Sequence, residues 1–268
     1  MLSQTQVEEF RTKGFLLGGR VLNDEQVDVL REELARVIRE QNTPKPQPVR
    51  IVNLSGNPDA PVWQIVNIWE ASEAFRQLVY HPPIVEEVAQ LTEADQLRVW
   101  HDQIQYKPAE RGGVNKWHQD SPYWPILTPK TSQVTAWIAL DDVDESNGCM
   151  SMVPSSYHWG NQIGFLHTVP DIDSMPSSFQ DRKVRVERCP VPNGGAHFHH
   201  SLTWHGSHAN TSNRPRRAIA IHYMTGETRY DASGNHVMKP FVEEVVDGEQ
   251  LAGEHFPLVW DKGRPVNP

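Results

Sequence analysis

The sequence predicts a mainly β fold with flanking helices, in which an N-terminal helical layer packs on an antiparallel sandwich or barrel. Two observations carry this prediction. Apolar residues recur at helical spacing in the first part of the chain, and from residue 97 onward short segments rich in β-branched and aromatic residues alternate with Pro, Gly and Asn. A parallel nucleotide-binding sheet is not expected, because no Gly-x-Gly-x-x-Gly loop and no strand–helix–strand rhythm are present.

The helices are indicated by two capping boxes and one apolar stripe. Ser3 precedes Gln6 by three residues, and Asn23 precedes Gln26 in the same way, which is the pattern of two helix N-termini. The second pattern is followed by apolar residues on one helical face, namely Val27, Leu30, Leu34, Val37 and Ile38. A further helical stretch is predicted at 72–91, interrupted by a Pro-Pro pair.

The predicted strands lie in the second half of the chain, at 97–107, 133–141, 149–153, 184–189, 195–200 and 217–225. A long polar connection follows the third of them at 154–182, and a connection of this length is typical of a lid, a binding loop or a disordered segment. Without an internal repeat or a linker, we expect one domain over 1–268, with a helical part at 1–95, a β core at 96–230 and a C-terminal extension at 231–268.

The composition narrows the possible partners. The chain has 268 residues, 38% of them hydrophobic and 22% charged, which is ordinary for a globular protein. Its net charge of −9 would repel phosphate backbones, so no nucleic-acid partner is expected. No apolar run is long enough to span a membrane. Only two cysteines, Cys149 and Cys189, and no signal-peptide pattern favour a cytoplasmic location. The oligomeric state is left open by the sequence.

A metal site is indicated by the segment Trp117-His118-Gln119-Asp120. On a strand, His118 and Asp120 would point to the same face, and burying both together is costly unless a metal ion compensates. A third ligand must then come from the histidine-rich segment further along the chain. Two imidazoles and one carboxylate form the facial triad of non-haem Fe(II) oxygenases, which leaves positions for a co-substrate and O2. The candidate third ligands are His197, His199, His200, His205 and His208.

Two other interpretations of these residues stay open. A catalytic zinc site uses the same donor set, although the His-Glu-x-x-His helix of many zinc hydrolases is absent. Alternatively, residues 117–120 form a polar loop and the later histidines a solvated cluster. Single histidines are most often surface or hydrogen-bonded core residues, and this interpretation applies to His81, His101, His158, His167, His222, His236 and His255.

Four segments together resemble one enzyme family. They are the stretch from Trp117 to Pro125, the stretch from Trp204 to Ser207 followed by Asn210, Ser212, Arg216 and Ala218, the segment from Trp137 through Gly148 to Pro154, and the opening at 6–15. In these residues the chain resembles the phytanoyl-CoA dioxygenase family of Fe(II)- and 2-oxoglutarate-dependent oxygenases. The resemblance extends over most of the chain, and its two ligand motifs are specific.

The resemblance implies a double-stranded β-helix core, the jelly-roll or cupin-like fold. It also implies Fe(II), 2-oxoglutarate as co-substrate and O2 as cofactors. The implied iron ligands are His118, Asp120 and His205, since His205 stands before Gly-Ser with Arg216 further along. Arg216 would bind the distal carboxylate of 2-oxoglutarate bidentately, and Ser207 would add a hydroxyl. The residues implied to line the co-substrate pocket are Lys107, Asn115 and Trp137.

The implied activity is that of a dioxygenase that couples decarboxylation of 2-oxoglutarate to oxidation of an unactivated C–H bond, releasing succinate and CO2. Because Asp120 is present, hydroxylation is favoured over halogenation. The substrate is expected to be a small organic metabolite or natural product, since the acidic chain has few basic clusters for an acyl-CoA. Tyr123, Trp124 and Trp63 are candidate substrate contacts. The alternative is a metal-binding jelly-roll module, such as a cupin-like sensor, or a zinc hydrolase, without oxygenase activity.

Overall fold

The structure is a computed structural model that describes residues 1–242 and 244–268. The α-helices are α1 (Gln4–Lys13), α2 (Asp24–Arg39), α3 (Glu73–Val79), α4 (Pro82–Thr92) and α5 (Ile163–Leu166). Short 3-10 helices lie at Ile68–Glu70, Ser121–Tyr123, Ser156–Trp159 and Lys239–Phe241. No helix among the described residues is both long enough and apolar enough to cross a membrane.

Both predicted capping boxes are formed. The Asn23 side chain accepts a hydrogen bond from the Gln26 backbone N–H at 2.8 Å, and the Gln26 side chain accepts one from the Asn23 backbone N–H at 2.9 Å. Ser3 and Gln6 make the same reciprocal pair. The predicted helical stretch at 72–91 is divided into α3 and α4, because the first proline of the pair begins a new helix at its first position.

A nine-stranded antiparallel sheet, here called the major sheet, forms one side of the fold. Its strands are β1 (Phe15–Arg20), β2 (Arg50–Asn53), β3 (Trp63–Val66), β4 (Gln96–Lys107), β7 (Gln133–Ala139), β12 (Gly195–His200), β14 (Arg216–Thr225), β16 (Leu258–Asp261) and β17 (Arg264–Pro265). The long strand β4 pairs with β14 along one edge and with β3 and β16 along the other. Strands from both flanking parts of the chain therefore join the sheet of the core.

A four-stranded sheet, here called the minor sheet, faces the major one. It is formed by β5 (Asn115–His118), β8 (Met150–Met152), β11 (Glu187–Cys189) and β13 (His205–Ser207). The remaining strands form two separate two-stranded sheets. One pairs β6 (Leu127–Thr128) with β15 (Arg229–Tyr230), and the other pairs β9 (Ser178–Phe179) with β10 (Arg182–Lys183). Two antiparallel sheets stacked in this way form the jelly-roll core, so the mainly β prediction is confirmed.

The two faces of the major sheet differ in chemistry. Side chains that alternate along a strand point to opposite faces. One face carries Ile104, Ile138, Phe198 and Ile219, which pack in one apolar cluster with the N-terminal helices. The opposite face carries polar residues between the two sheets. The inner positions of four neighbouring strands form one lateral row in register, His199, Thr135, His222 and His101.

The predicted long connection at 154–182 is packed against the minor sheet. Trp159, Phe165 and Phe179 surround the buried ring of Trp204, with ring centroids between 4.8 and 5.3 Å from it. Aromatic packing of this kind fixes the connection as an ordered layer over the minor sheet. The same connection carries His167 to the edge of the central cavity described below.

A buried carboxylate fastens the turn before α3 to strand β4. Asp102 is fully buried, and its two oxygens accept hydrogen bonds from the backbone N–H groups of Ile68 at 2.9 Å and Trp69 at 3.1 Å. Burial raises the pKa of Asp102 to about 7, although these hydrogen bonds act in the opposite direction. The group therefore connects the helical layer to the sheet that carries the inner polar row.

We expect Asp102→Ala to lower the free energy of unfolding by about 2 to 4 kcal/mol, because two buried N–H donors lose their acceptors. Urea denaturation measures the change. The exposed Asp59, whose side chain makes no hydrogen bond among the described residues, gives a matched control, and Asp59→Ala is expected to change stability by less than about 0.5 kcal/mol.

The pH dependence provides a second test of this contact. The native protein holds a proton on Asp102 up to about pH 7, whereas an unfolded aspartate loses it near pH 4, about its ordinary value. The contribution of Asp102 to stability therefore falls as the pH rises through this window. The stability difference between wild type and Asp102→Ala should be larger at pH 5 than at pH 8, because it falls by about 1.4 kcal/mol for each pH unit between pH 5 and pH 7. An unchanged difference would contradict this account.

Candidate metal centre and co-substrate pocket

The predicted triad is brought together between the two sheets. His118 ends β5 and His205 begins β13, and the two residues are register partners. The three donor groups of His118, Asp120 and His205 lie within 4.8 Å of one another. The Nε2 atoms of His118 and His205 are 3.8 and 3.4 Å from the same carboxylate oxygen of Asp120, Oδ1. This compact set of two nitrogens and one oxygen suits a divalent transition metal.

Asp120 is placed by a turn rather than by a strand. The strand ends at His118, and Asp120 precedes the 3-10 helix at Ser121–Tyr123. Its backbone N–H donates a hydrogen bond to the Ser201 carbonyl at 2.9 Å. The sequence-based expectation that His118 and Asp120 share a face is met, although this turn and not the strand period directs the carboxylate.

Both imidazole rings are oriented by backbone carbonyls. The Nδ1 of His118 lies 2.7 Å from the Lys116 carbonyl, and the Nδ1 of His205 lies 2.8 Å from the Thr203 carbonyl. A carbonyl only accepts, so each Nδ1 carries the proton. Each Nε2 is therefore turned toward Asp120, which is how metal-binding histidines are held by their outer partners.

The second oxygen of Asp120 is engaged by the chain itself. Oδ2 accepts hydrogen bonds from the Thr135 hydroxyl at 3.1 Å and from His199 Nε2 at 3.0 Å. These partners leave Oδ1 as the oxygen that faces the two imidazoles. His199 therefore acts as a positioning residue for the carboxylate, and its own Nδ1 is buried without a partner in the described part of the chain.

The protonation states of Asp120 and His118 fit metal ligands. Burial acts to raise the pKa of Asp120, but the His205 ring and the His199 hydrogen bond outweigh it and hold this pKa well below its ordinary range. Burial lowers the pKa of His118 to about 3. At neutral pH the carboxylate is charged and the His118 ring is neutral, as metal binding requires. Burial acts to lower the pKa of His205, but the charge of Asp120 outweighs it and raises this pKa, so a metal ion would displace a proton there.

Two buried basic side chains lie side by side between the sheets. Lys107 and Arg216 are register partners on β4 and β14, and both are fully buried. Burial lowers the pKa of Lys107 well below its ordinary value and that of Arg216 to about 10. Neither forms an ion pair with a carboxylate in residues 1–242 and 244–268, and uncompensated buried charges are costly. The pair is therefore suited to receive an anion.

Ser207 links these basic side chains to the minor sheet. Its hydroxyl accepts hydrogen bonds from Lys107 Nζ at 2.7 Å and Arg216 Nη2 at 3.3 Å, and donates to Asn115 Oδ1 at 3.2 Å. The Nε of Arg216 has no partner among the described residues. Trp137 lies under the guanidinium, 5.5 Å from ring centroid to Cζ. The predicted co-substrate residues are thus in mutual contact.

Further polar atoms without hydrogen-bond partners lie on His197 and Trp137, beside Arg216. His197 stacks on Trp137 with ring centroids 5.0 Å apart, and both rings are almost wholly buried. Neither ring nitrogen of His197 nor the Trp137 indole nitrogen has a hydrogen-bond partner in the described part of the chain. Buried polar atoms without partners usually mark a missing ligand or water. Together with the two basic side chains, they fit a small dianion such as 2-oxoglutarate.

A cavity of about 660 Å³ opens on the metal ligands. His118 and Asp120 line it, as do the predicted substrate contacts Tyr123 and Trp124. Trp63 is not among the lining residues. Its β3 neighbours Gln64 and Val66 are, because the pairing of β3 with β4 turns the alternate side chains inward. The Tyr123 hydroxyl is half exposed and meets His167 Nε2 at 2.8 Å.

Four cavity residues were interpreted from the sequence as surface or core histidines. His101, His167, His222 and His236 all line the cavity. For two of them, the alternation of side chains along a strand predicts an inward direction. His101 is an even number of residues from Lys107, and His222 from Arg216, so each shares the inner face of its strand. The other two are brought in by contacts distant in sequence.

The chain is similar to known proteins over most of its length. The family model described as "Phytanoyl-CoA dioxygenase (PhyH)" matches residues 10–218. The peroxisomal phytanoyl-CoA dioxygenase of Bos taurus is 27% identical over 267 residues, which cover 92% of this chain and 76% of that protein.

Solved structures with the same fold include two proteins from nogalamycin biosynthesis. The non-heme alpha ketoglutarate dependent carbocyclase SnoK has a TM-score of 0.78 and 29% identity, with 96% of each chain covered. The epimerase SnoN, solved with Fe3+, alpha ketoglutarate and nogalamycin RO, has a TM-score of 0.72 and 22% identity, with 95% of this chain and 97% of that chain covered. The second comparison shows the fold alone.

We expect His205→Ala to weaken binding of Fe(II) on the order of 100-fold or more, because one of three donors is lost. Anaerobic calorimetric titration measures the affinity. His208→Ala is the matched control, since His208 lies nearby in the same segment but contacts Asp173 and Arg188 instead. Equal loss in the two variants would show that the third ligand is wrongly assigned.

We expect Arg216→Met to weaken 2-oxoglutarate binding to the Fe(II)-loaded protein roughly 10- to 100-fold, because charge-assisted hydrogen bonds to a carboxylate are removed. Anaerobic calorimetry gives the dissociation constant. Arg217→Met is the control, because Arg217 is paired with Asp141 at 2.7 Å and is not part of the pocket. Unchanged affinity in Arg216→Met would contradict the anion site.

Proposed function

Because the chain belongs to the phytanoyl-CoA dioxygenase family of iron- and 2-oxoglutarate-dependent oxygenases, we propose that it oxidises an unactivated C–H bond of a small organic molecule. The observation that carries this proposal is the placement of two candidate sites between the two sheets. His118 and Asp120 of the triad line the cavity, and the buried Lys107–Arg216 pair lies on the inner face of the major sheet and contacts Ser207 of the minor sheet. A redox metal, a dianionic co-substrate and a substrate would meet there.

His118, Asp120 and His205 would hold Fe(II), which would supply the activation of O2 coupled to decarboxylation of 2-oxoglutarate to succinate and CO2. The chain contributes binding and orientation. Arg216, with the hydroxyl of Ser207, would bind the distal carboxylate of the co-substrate bidentately and remain charged while buried. Lys107 would add a second positive charge beside it.

The chain also fixes the ligand geometry. Thr135 and His199 hold Oδ2 of Asp120, so that rotation of the carboxylate is restricted. The presence of this carboxylate supports hydroxylation over halogenation, since it fills the position that a halide would need. Trp124 is one of the apolar walls of the cavity and would help to exclude water from the reacting carbon of a bound substrate.

The substrate we propose is a small metabolite or natural product. The sequence has two basic clusters, one of Arg182, Lys183 and Arg185 and the other of Arg214, Arg216 and Arg217. The first does not line the cavity, and two arginines of the second are engaged in ion pairs. Arg214 is paired with Asp144 and Arg217 with Asp141, whereas Arg50 and Lys116 are the sole Lys or Arg side chains among the cavity-lining residues in 1–242 and 244–268. The resemblance to a carbocyclase of natural-product biosynthesis supports the same choice.

A cytoplasmic location is also part of this proposal. Cys149 and Cys189 are both free and buried. Burial raises the pKa of Cys189 to about 12, so its thiol stays protonated at neutral pH. Two unpaired thiols are what a reducing compartment favours.

We expect the protein to release succinate from 2-oxoglutarate when Fe(II), air and a substrate are present, and Asp120→Ala to reduce this rate by roughly 1,000-fold or more, since a ligand is removed. Succinate is measured by chromatography over a panel of small metabolites and natural products. Before air is admitted, the complex with Fe(II) and 2-oxoglutarate should show a weak visible charge-transfer band.

Asp173→Ala is the control, since Asp173 is an exposed carboxylate beside His208 and outside the triad. It should retain the wild-type rate. Neither band nor succinate in the wild type would refute the oxygenase and leave a metal-binding module or a zinc hydrolase. Full activity in Asp120→Ala would refute the ligand assignment.

A further inference from the structure

The row of inner side chains across the major sheet continues beyond the metal ligands into the cavity. His199, Thr135, His222 and His101 occupy corresponding positions on four neighbouring strands. His199 and Thr135 contact Asp120, whereas His222 and His101 line the cavity with ring centroids 4.7 Å apart. The metal centre is therefore connected by hydrogen bonds to a wall that a substrate would touch.

The proton positions along this row follow from Asp120. Its carboxylate is ionised and only accepts, so the Thr135 hydroxyl 3.1 Å away donates to it. A hydroxyl has one proton, and the oxygen of Thr135 must therefore accept from His222 Nδ1, 2.7 Å away. Burial lowers the pKa of His222 to about 4, so its ring is neutral. With Nδ1 protonated, Nε2 of His222 carries a lone pair.

The ring of the neighbouring His101 carries its proton on the same nitrogen, Nδ1. Its Nδ1 lies 3.2 Å from the Asp102 carbonyl and therefore donates, which leaves Nε2 as an acceptor. His101 is buried, and its Nε2 has no partner among the described residues. Nor does Nε2 of His222 take part in a hydrogen bond within this part of the chain. His101 Nε2 is thus a buried acceptor without a donor, and His222 Nε2 is an unpaired acceptor on a residue that lines the cavity, where a ligand can satisfy it.

We propose that His222, supported by His101, accepts a hydrogen bond from a hydroxyl group of the substrate and thereby selects hydroxylated molecules. This inference rests on the proposed function, because it names the substrate class of the same cavity. The wall is a recognition surface whose polarity is set by the metal-ligating carboxylate through Thr135. An ether or a ketone at the same position would place a lone pair against a lone pair.

The other residues that line the cavity restrict the class of substrate further. Trp124 packs edge-on against both histidines, with ring centroids 4.8 Å from His222 and 5.8 Å from His101. Asp120 is the sole carboxylate among the lining residues that the structure describes, whereas Arg50 and Lys116 are cationic. A cationic substrate would find no counter-ion outside the metal site. A hydroxylated molecule that is neutral or anionic fits this combination.

The test compares two soluble probes that differ only at the hydroxyl. A naphthol sulfonate and its methyl ether share the flat apolar rings and the negative charge, and only the first offers a donor. Binding is measured by calorimetry to the full chain loaded with Fe(II) and 2-oxoglutarate without O2. Because no turnover is involved, a failure of this test is distinguishable from a failure of the oxygenase activity.

We expect the wild type to bind the naphthol sulfonate roughly three- to tenfold more tightly than the ether, as for one neutral hydrogen bond. His222→Phe should abolish this preference. Thr135→Val keeps the side-chain shape but frees His222 Nδ1 from its acceptor, so the preference should also fall. A thermal melt of each variant, and 2-oxoglutarate binding in calorimetry, verify that the fold and the co-substrate pocket are retained.

His236→Phe is the matched control. His236 also lines the cavity, but its Nδ1 accepts from the Met238 N–H at 3.2 Å, so its other nitrogen carries a proton and is a donor. This variant should retain the preference for the hydroxyl. Equal affinity of the wild type for the two probes, absence of binding by both, or an unchanged preference in His222→Phe would each overturn the proposal.

Discussion

The carboxylate of Asp120 is the group on which the rest of the site depends. Its two oxygens have separate tasks: Oδ1 faces the imidazoles of the triad, and Oδ2 accepts hydrogen bonds from Thr135 and His199. A carboxylate held in this way costs free energy to bury unless positive charge is supplied. A divalent ion supplies it, and the hydrogen bonds to Oδ2 then fix the orientation of the ligand and the proton positions of its neighbours.

The major sheet provides the second constraint, through its alternation of side chains. One face packs Ile104, Ile219 and their neighbours against the helices, and the other places Lys107 and Arg216 between the sheets. The same period that buries the apolar core therefore also lines the interior with charge. Substitutions that shift the register of β4 or β14 would exchange these faces and remove the core and the co-substrate pocket together.

The fold class and most of the strands are predictable from the sequence because their signals are local. The three residues of the candidate metal site are also predictable from the sequence, but only the family motif selects His205 among the five candidate histidines. In the structure two of the rival histidines are engaged elsewhere: His200 bonds the Thr131 carbonyl, and His208 bonds Asp173. The inward direction of Gln64 rather than Trp63 depends on the pairing of β3 with β4, which is a contact distant in sequence. Local patterns carry no information on such pairings.

A crystal structure of the protein grown without O2 in the presence of Fe(II) and 2-oxoglutarate tests the central claim most directly. The account predicts iron bound by Nε2 of His118, Nε2 of His205 and Oδ1 of Asp120, with Oδ2 still bonded to Thr135, and a carboxylate of 2-oxoglutarate on Arg216. Iron bound through His199 or His197, or a co-substrate carboxylate placed away from Arg216, would contradict it.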